Sequence, residues 1–196
     1  MTPRADAIRT ARDWWDRKPV FIDTETTGLK GAHEICELAV IDHEGAVLTD
    51  SLIRPTIPIT REAADVHGIT NAMVNPAPSF KDIWPSLQAA LAGRLVVIYN
   101  LDFDLPRLVQ SARANGLDAT WLTQAPQHGE SPWRCAMKLY AQFHGEWNRY
   151  HGNYRWHRLG DAARHCGITL PPDLHRARAD AELTRRIVSY MAQQAK

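Results

Sequence analysis

The chain is short of several things, and each shortage narrows what it can be. It has only three cysteines, Cys36, Cys135 and Cys166, an odd number spread far apart. That excludes a disulfide-stapled secreted scaffold and points to a reducing, cytoplasmic setting. No apolar run approaches the roughly 20 residues of a membrane span, and residues 1–18 are charged throughout rather than carrying an apolar signal core. A membrane partner is therefore not expected. Net charge is nearly absent as well: 23 Lys and Arg against 22 Asp and Glu give +1. Such a balance argues against a large surface that coats DNA nonspecifically. Repeats, low-complexity tracts and linkers are lacking too. Residues 1–196 are expected to form one domain with a substantial core, residues 1–18 being an N-terminal helical extension.

The distribution of charge says more than its sum. Residues 1–133 carry 12 Lys and Arg against 17 Asp and Glu, whereas residues 134–196 carry 11 against 5. The basic C-terminal third is also rich in His, Trp and Tyr. Cations interleaved with rings suit a single nucleic-acid strand, with phosphates on the former and bases on the latter. Residues 144–157, with Trp147, Arg149, Tyr150, Tyr154, Arg155 and Trp156, are the candidate segment. A solvated loop anchored by its aromatics is the equal alternative.

Three local patterns carry the chemistry. Val20-Phe21-Ile22 is a β-rich apolar run after Pro19, ending in Asp23-Thr24-Glu25. Alternation along a strand puts Asp23 and Glu25 on one face. Two such carboxylates repel each other, and a hard cation such as Mg²⁺ or Mn²⁺ is the usual compensation. Gly28, after Thr26-Thr27, leaves room for a ligand to approach the backbone. Next, the continuous apolar run Leu95-Val96-Val97-Ile98-Tyr99 reads as a central strand leading through Asn100 into a helix that starts near Asp102-Phe103-Asp104. An N-cap role suits Asn100 or Asp102; Asp104 falls inside the first turn, where a cap does not act. Last, Pro171-Pro172 delays a terminal helix whose apolar stripe runs through Ala181, Leu183, Ile187, Val188 and Met191. Five residues separate His175 from Asp180, about 140° on one helix. The two can share a site only if His175 lies on the loop before the helix.

Taken in order, Asp23-Thr24-Glu25-Thr26-Thr27-Gly28-Leu29, Asn100-x-x-Phe103-Asp104 and His175-x-x-x-x-Asp180 resemble the three motifs of the DnaQ-like, DEDDh exonuclease superfamily. That superfamily includes the proofreading epsilon subunit of bacterial DNA polymerase III, RNase T and oligoribonuclease. The resemblance spans roughly residues 19 to 190. It implies an α/β, RNase H-like mixed β-sheet, an antiparallel meander plus parallel strands, flanked by α-helices. It also implies two Mg²⁺ or Mn²⁺ ions held by Asp23, Glu25, Asp104 and Asp180, about 3.5–4 Å apart as in other two-metal sites. His175 would be the general base, since histidine's ordinary pKa of about 6.5 suits proton transfer near neutral pH. Thr24, Thr26, Leu29, Asn100, Phe103 and His67 would contact substrate, with Leu29 wedged against the terminal base. The implied partner is a nucleic-acid 3′ end, single-stranded DNA or RNA, cut to 5′-mononucleotides; a polymerase or other protein partner is also implied. Residues 66–70, Val-His-Gly-Ile-Thr, resemble the epsilon-like branch and so favour DNA. One departure stands out: the family's second motif usually begins His-Asn-Ala, and here it reads Tyr99-Asn100-Leu101, so contacts near Tyr99 are expected to differ.

Two other readings compete. An RNA-trimming enzyme or a non-catalytic nucleic-acid-binding module could use the same fold, although all five expected catalytic residues are present. A structural zinc site among Cys135, His144, His151, His157, His165 and Cys166 is disfavoured. Only His151 and His157, with five residues between them, fall at the wide limit of a ligand pair, and no cysteine pair accompanies them.

For the rest, helices are expected over residues 5–18 (with Trp14-Trp15 on the edge of the sheet), 60–66, 79–91, 136–143 and 159–165. Strands are expected over 34–42, 47–54 and 133–136, with a hairpin turn at 42–45.

Overall fold

The computed structural model describes residues 2–28, 31, 33–123 and 130–195. The Thr2 hydroxyl accepts from the Ala5 N–H at 3.3 Å, and Pro3 takes the first helical position, where its missing N–H is not needed, so α1 runs Pro3–Asp16. Three strands follow: β1 (Val20–Thr26), β2 (Ile35–Asp42) and β3 (Val47–Leu52). Asp42 makes the turn between the last two: its Oδ1 accepts from the N–H groups of Glu44 and Ala46, both at 2.9 Å, and Gly45 sits at φ +92°. Two short helices, α2 (Arg61–His67) and α3 (Asn71–Val74), precede α4 (Phe80–Leu91), which opens with a reciprocal Ser79–Asp82 capping box. Then come β4 (Val96–Ile98), α5 (Leu101–Ala114), α6 (Thr120–Thr123), β5 (Trp133–Cys135) and α7 (Ala136–His144). A two-stranded hairpin, β6 (Trp147–Asn148) and β7 (Asn153–Tyr154), leads to α8 (Leu159–His165) and α9 (Ala177–Gln193).

The main sheet has the order β3-β2-β1-β4-β5. β1, β2 and β3 pair antiparallel; β4 pairs parallel with both β1 and β5. This is the mixed, RNase H-like sheet expected from the sequence. Strand alternation divides the core in two. Phe21, Ile41, Val97 and Tyr99 face α1, α7, α8 and α9. Val20, Ile22, Leu38, Val40, Val96 and Ile98 face α4, α5 and α6. β4 is buried throughout, which is why it reads as a continuous apolar run.

Trp14 is buried, and the Trp15 ring lies 6.4 Å from Phe21 and 6.3 Å from His43. Ala7, Ile8, Ala11 and Trp14 form a buried stripe at helical spacing, and α1 packs on α7 and α9 within the same core as Phe21 and Ile41. The tryptophan pair alone did not specify a face; the apolar stripe of α1 did. The four-residue helices α3 and α6 and the β6–β7 hairpin are too short to leave a periodic signal. Among the described residues, no helix is long and apolar enough to cross a membrane.

Candidate active site

β1 and β4 run parallel with Ile22 beside Ile98, so the acidic end of β1 meets the start of α5 just beyond β4. Asp23 and Glu25 lie on the Phe21 face, opposite Ala39 and Glu37 of β2, and the strand register shifts immediately after Glu25. Both are half-buried. Asp104, in the first turn of α5, and Asp180, in the first turn of α9, are buried. Asp23, Glu25 and Asp180 each offer an oxygen within 4.8 Å of the others. Asp104 is oriented from the opposite face of β1, where the Thr24 hydroxyl donates to its Oδ1 at 2.7 Å.

The electrostatics follow from this crowding. Burial pushes the Asp23 carboxyl well above the carboxylate range, and Asp104, Asp180, Glu25 and Glu37 raise it further. Glu25 is pushed up to about 9, by burial first and then by Asp180, Glu37 and Asp104. Burial raises Asp104 to about 7 against the opposing Thr24 hydrogen bond, and Asp180 to about 6 against its contacts with His175. An all-oxygen donor set whose members repel one another fits hard divalent cations.

His175 lies on the loop before α9, as its spacing to Asp180 requires. Its N–H donates to Asp180 Oδ1 at 3.2 Å, and its Nδ1 is 3.9 Å from Oδ2. The residue sits at φ +67°, in the left-handed region, and its side chain is half exposed. Such a conformation costs about 1–3 kcal/mol in a non-glycine residue and persists only where neighbours enforce it.

The residue that braces the next two positions is one that sequence reasoning missed. Glu37 is buried on β2, accepts from Arg176 Nε at 3.0 and 3.1 Å, and accepts from the Ala177 N–H at 2.9 Å. It therefore caps α9 in place of the Arg176 side chain, which makes no cap hydrogen bond. The available signal was an acid inside the apolar run Ile35-Cys36-Glu37-Leu38-Ala39-Val40, since a buried charge needs a partner.

The remaining expected residues divide. Asn100 caps nothing with its side chain; it lines a cleft of about 530 Å³ together with Tyr99, Trp156, Arg158, His175 and Asp180. Phe103 is half-buried, with the Arg107 guanidinium 5.2 Å over its ring. Asp102 is exposed and paired with Lys138 Nζ at 2.6 Å, leaving Asp104 as the inward carboxylate. His67 is buried with both nitrogens engaged: Nδ1 accepts from Ile69 N–H at 3.0 Å, and Nε2 lies 3.1 Å from the Thr26 carbonyl. Thr26 donates to the Gly28 carbonyl at 2.9 Å. The space beside Gly28 is not open to a ligand on the side where a Cβ would point, because the His33 ring fills it at 2.4–2.7 Å from that position. Leu29 lies outside the described residues.

A mixed sheet in this order, carrying an acidic cluster at the ends of its first and fourth strands and a histidine beside it, defines a nuclease of the DEDDh exonuclease type. The family model described as "Exonuclease" matches residues 20–188, and the chain belongs to that RNase T-type exonuclease family. It is 39% identical to the uncharacterized exonuclease CP81 of Escherichia phage 186, over 96% of this chain and 95% of that protein. Exodeoxyribonuclease 10 of Escherichia coli K12 is 32% identical over 81% of this chain, which spans 60% of that enzyme. A PolC-type DNA polymerase III of Oceanobacillus iheyensis is 27% identical over 93% of this chain, which spans 12% of that polymerase. Among solved structures, exonuclease X in complex with 5′ overhanging duplex DNA superposes with a TM-score of 0.60 at 28% identity, covering 88% of this chain and 90% of that one.

Proposed function

We propose that this exonuclease works from the 3′ end of DNA, releasing 5′-mononucleotides, with Mg²⁺ or Mn²⁺ bound by Asp23, Glu25, Asp104 and Asp180. One observation carries the reading: carboxylates of β1 and α9 meet around one point beside an accessible histidine, with Asp104 of α5 held by Thr24 and near enough to raise Asp23. A DNA substrate is supported by the likeness to exodeoxyribonuclease 10 and to exonuclease X, whose structure holds duplex DNA. A polymerase as partner is supported by the likeness to PolC-type polymerase, although this chain spans a small part of it.

Bound divalent ions would supply the charge that a phosphodiester needs as its attacking and leaving oxygens become negative. The chain's own residues do the rest. Asp180 holds His175 by its backbone N–H and faces its Nδ1, so Nε2 is the nitrogen directed to take the proton of the attacking water. Thr24 fixes Asp104 by a hydrogen bond from outside the cluster. Asn100 and Arg158 in the cleft are placed to meet the polar backbone of the strand, and Trp156 to stack on a base. His67, by holding the Thr26 carbonyl, shapes the β1 end that would receive the terminal nucleotide. Phe103 adds an apolar surface there, and Leu29 is the proposed wedge.

The test is degradation of 3′-labelled and 5′-labelled DNA and RNA, single-stranded and duplex, with Mg²⁺, Mn²⁺ or EDTA. Label release from DNA 3′ ends, abolished by EDTA, is expected. Release from 5′ ends, indifference to EDTA, or a preference for RNA would each overturn the corresponding element of the proposal.

A further inference from the structure

On the far side of the cleft the fold collects a second set of ligating side chains. His144 ends α7, His165 ends α8, and His157 lies between the β6–β7 hairpin and α8. They are 13 and 8 residues apart in sequence, a spacing that does not suggest a site. In space, one ring nitrogen from each lies within 4.8 Å of the other two. The ring centroids of His144 are 4.5 Å from His157 and 4.8 Å from His165, and those of His157 and His165 are 5.4 Å apart. The Tyr140 hydroxyl lies 3.4 Å from Nδ1 of His144 and 3.1 Å from Nδ1 of His165, tying the two stacked rings together.

One observation indicates that this cluster is incomplete without a ligand. Nε2 of His157 is buried and has no hydrogen-bond partner; the nearest anionic atom, Glu146 Oε2, is 3.9 Å away. Buried polar nitrogens are almost always paired, so an unpaired one calls for a missing partner.

We propose that His144, His157 and His165 form a transition-metal site, distinct from the carboxylate cluster, that takes Zn²⁺ or a similar imidazole-preferring divalent ion, with Glu146 as the nearest fourth donor. Imidazole nitrogens select such ions, whereas the all-oxygen cluster selects hard ones. Zinc–nitrogen bonds of about 2.0–2.1 Å require the rings to draw inward; His144 and His165 are exposed at the ends of α7 and α8. Glu146 would have to share its carboxylate with Arg155, whose Nη1 now donates to Oε1 at 2.8 Å. The His157 carbonyl accepts from the Tyr99 hydroxyl at 2.8 Å, and both residues line the cleft that holds His175. An ion at this site would therefore pin the hairpin segment, with its exposed Trp147, Tyr150 and Trp156, against the cleft.

The experiment is titration of the EDTA-stripped full chain with Co²⁺ in excess Mg²⁺, read by the visible absorption of tetrahedral cobalt. One equivalent should bind, be displaced by Zn²⁺ and resist Mg²⁺. His144→Gln and His165→Gln should each weaken binding at least tenfold, with Glu25→Gln leaving it intact. Equal affinity in the wild type and both histidine variants overturns the proposal, as does a signal that excess Mg²⁺ or Glu25→Gln removes. If one histidine variant folds poorly by circular dichroism, the other and the Mg²⁺ competition on the unsubstituted chain still decide.

Discussion

Glu37 and Arg176 stand 139 residues apart in the chain and meet in the fold, Arg176 Nε donating to the Glu37 carboxylate at 3.0 and 3.1 Å. The same carboxylate accepts the Ala177 N–H, so one buried acid fixes the entrance to α9 on which both His175 and Asp180 depend. Glu37→Gln keeps the size but loses the charge. It should lower kcat about tenfold, equivalent to ~1.4 kcal/mol of barrier, with KM little changed. The weakened charge-assisted bonds should also destabilise the fold by about 1.5–3 kcal/mol. Steady-state kinetics and thermal melts check both. An unchanged kcat would show that the pair does not position His175.

Asp23→Ala and Asp104→Ala should each abolish nucleotide release and leave the far-ultraviolet circular dichroism unchanged, because Asp23 sits among repelling carboxylates and loss of Asp104 gives up one hydrogen bond, from Thr24. Wild-type turnover by either variant would end the metal-ligand assignment.

Thr24→Val removes the hydrogen bond that opposes protonation of Asp104, so the Asp104 pKa should climb above its present value of about 7. The variant should need several-fold more Mg²⁺ for half-maximal activity at neutral pH, on the order of one to two hydrogen-bond equivalents. The deficit should shrink as pH rises and Asp104 ionises. A Mg²⁺ requirement equal to the wild type at every pH is the contrary result.

His175→Ala should lose about 10²–10⁴-fold in kcat, the range for a general base. Because the side chain is half exposed, stability should barely change. Less than threefold loss would mean that another group accepts the proton.

Stability of the cation-free protein should fall as pH rises. Carboxylates ordinarily titrate near 3.9–4.3, whereas folding raises Asp180 to about 6, Asp104 to about 7 and Glu25 to about 9. The folded state therefore binds more protons than the unfolded one across this window. The contribution of these groups is whole below about pH 4 and is lost as pH climbs to about 9. Melting temperatures in EDTA should drop over that range, Mg²⁺ should restore them most at the alkaline end, and Glu25→Gln should raise the EDTA value at pH 8. A flat profile in EDTA would show that burial and mutual repulsion do not raise these carboxylates as described.

Much of the architecture was legible in the sequence because its signals are local. Alternation placed Asp23 and Glu25 on one face, a position in the first turn separated Asp104 from the surface position of Asp102, and the proline pair kept His175 off α9. The uninterrupted run at 95–99 announced a strand covered on both sides.

What the sequence determined by itself is the set of side chains that can meet, through the two- and 3.6-residue periods of the elements carrying them. What only the tertiary structure decided is which distant partners do meet: Glu37 with Arg176, Thr24 with Asp104, Tyr99 with the His157 carbonyl, and the three histidines with one another. It also packed α1 on α7 and α9 and filled the space beside Gly28 with His33. The physical reason is that a periodic pattern records which way a side chain points, whereas packing of whole elements sets the side chain it reaches, and no local rule carries that distance.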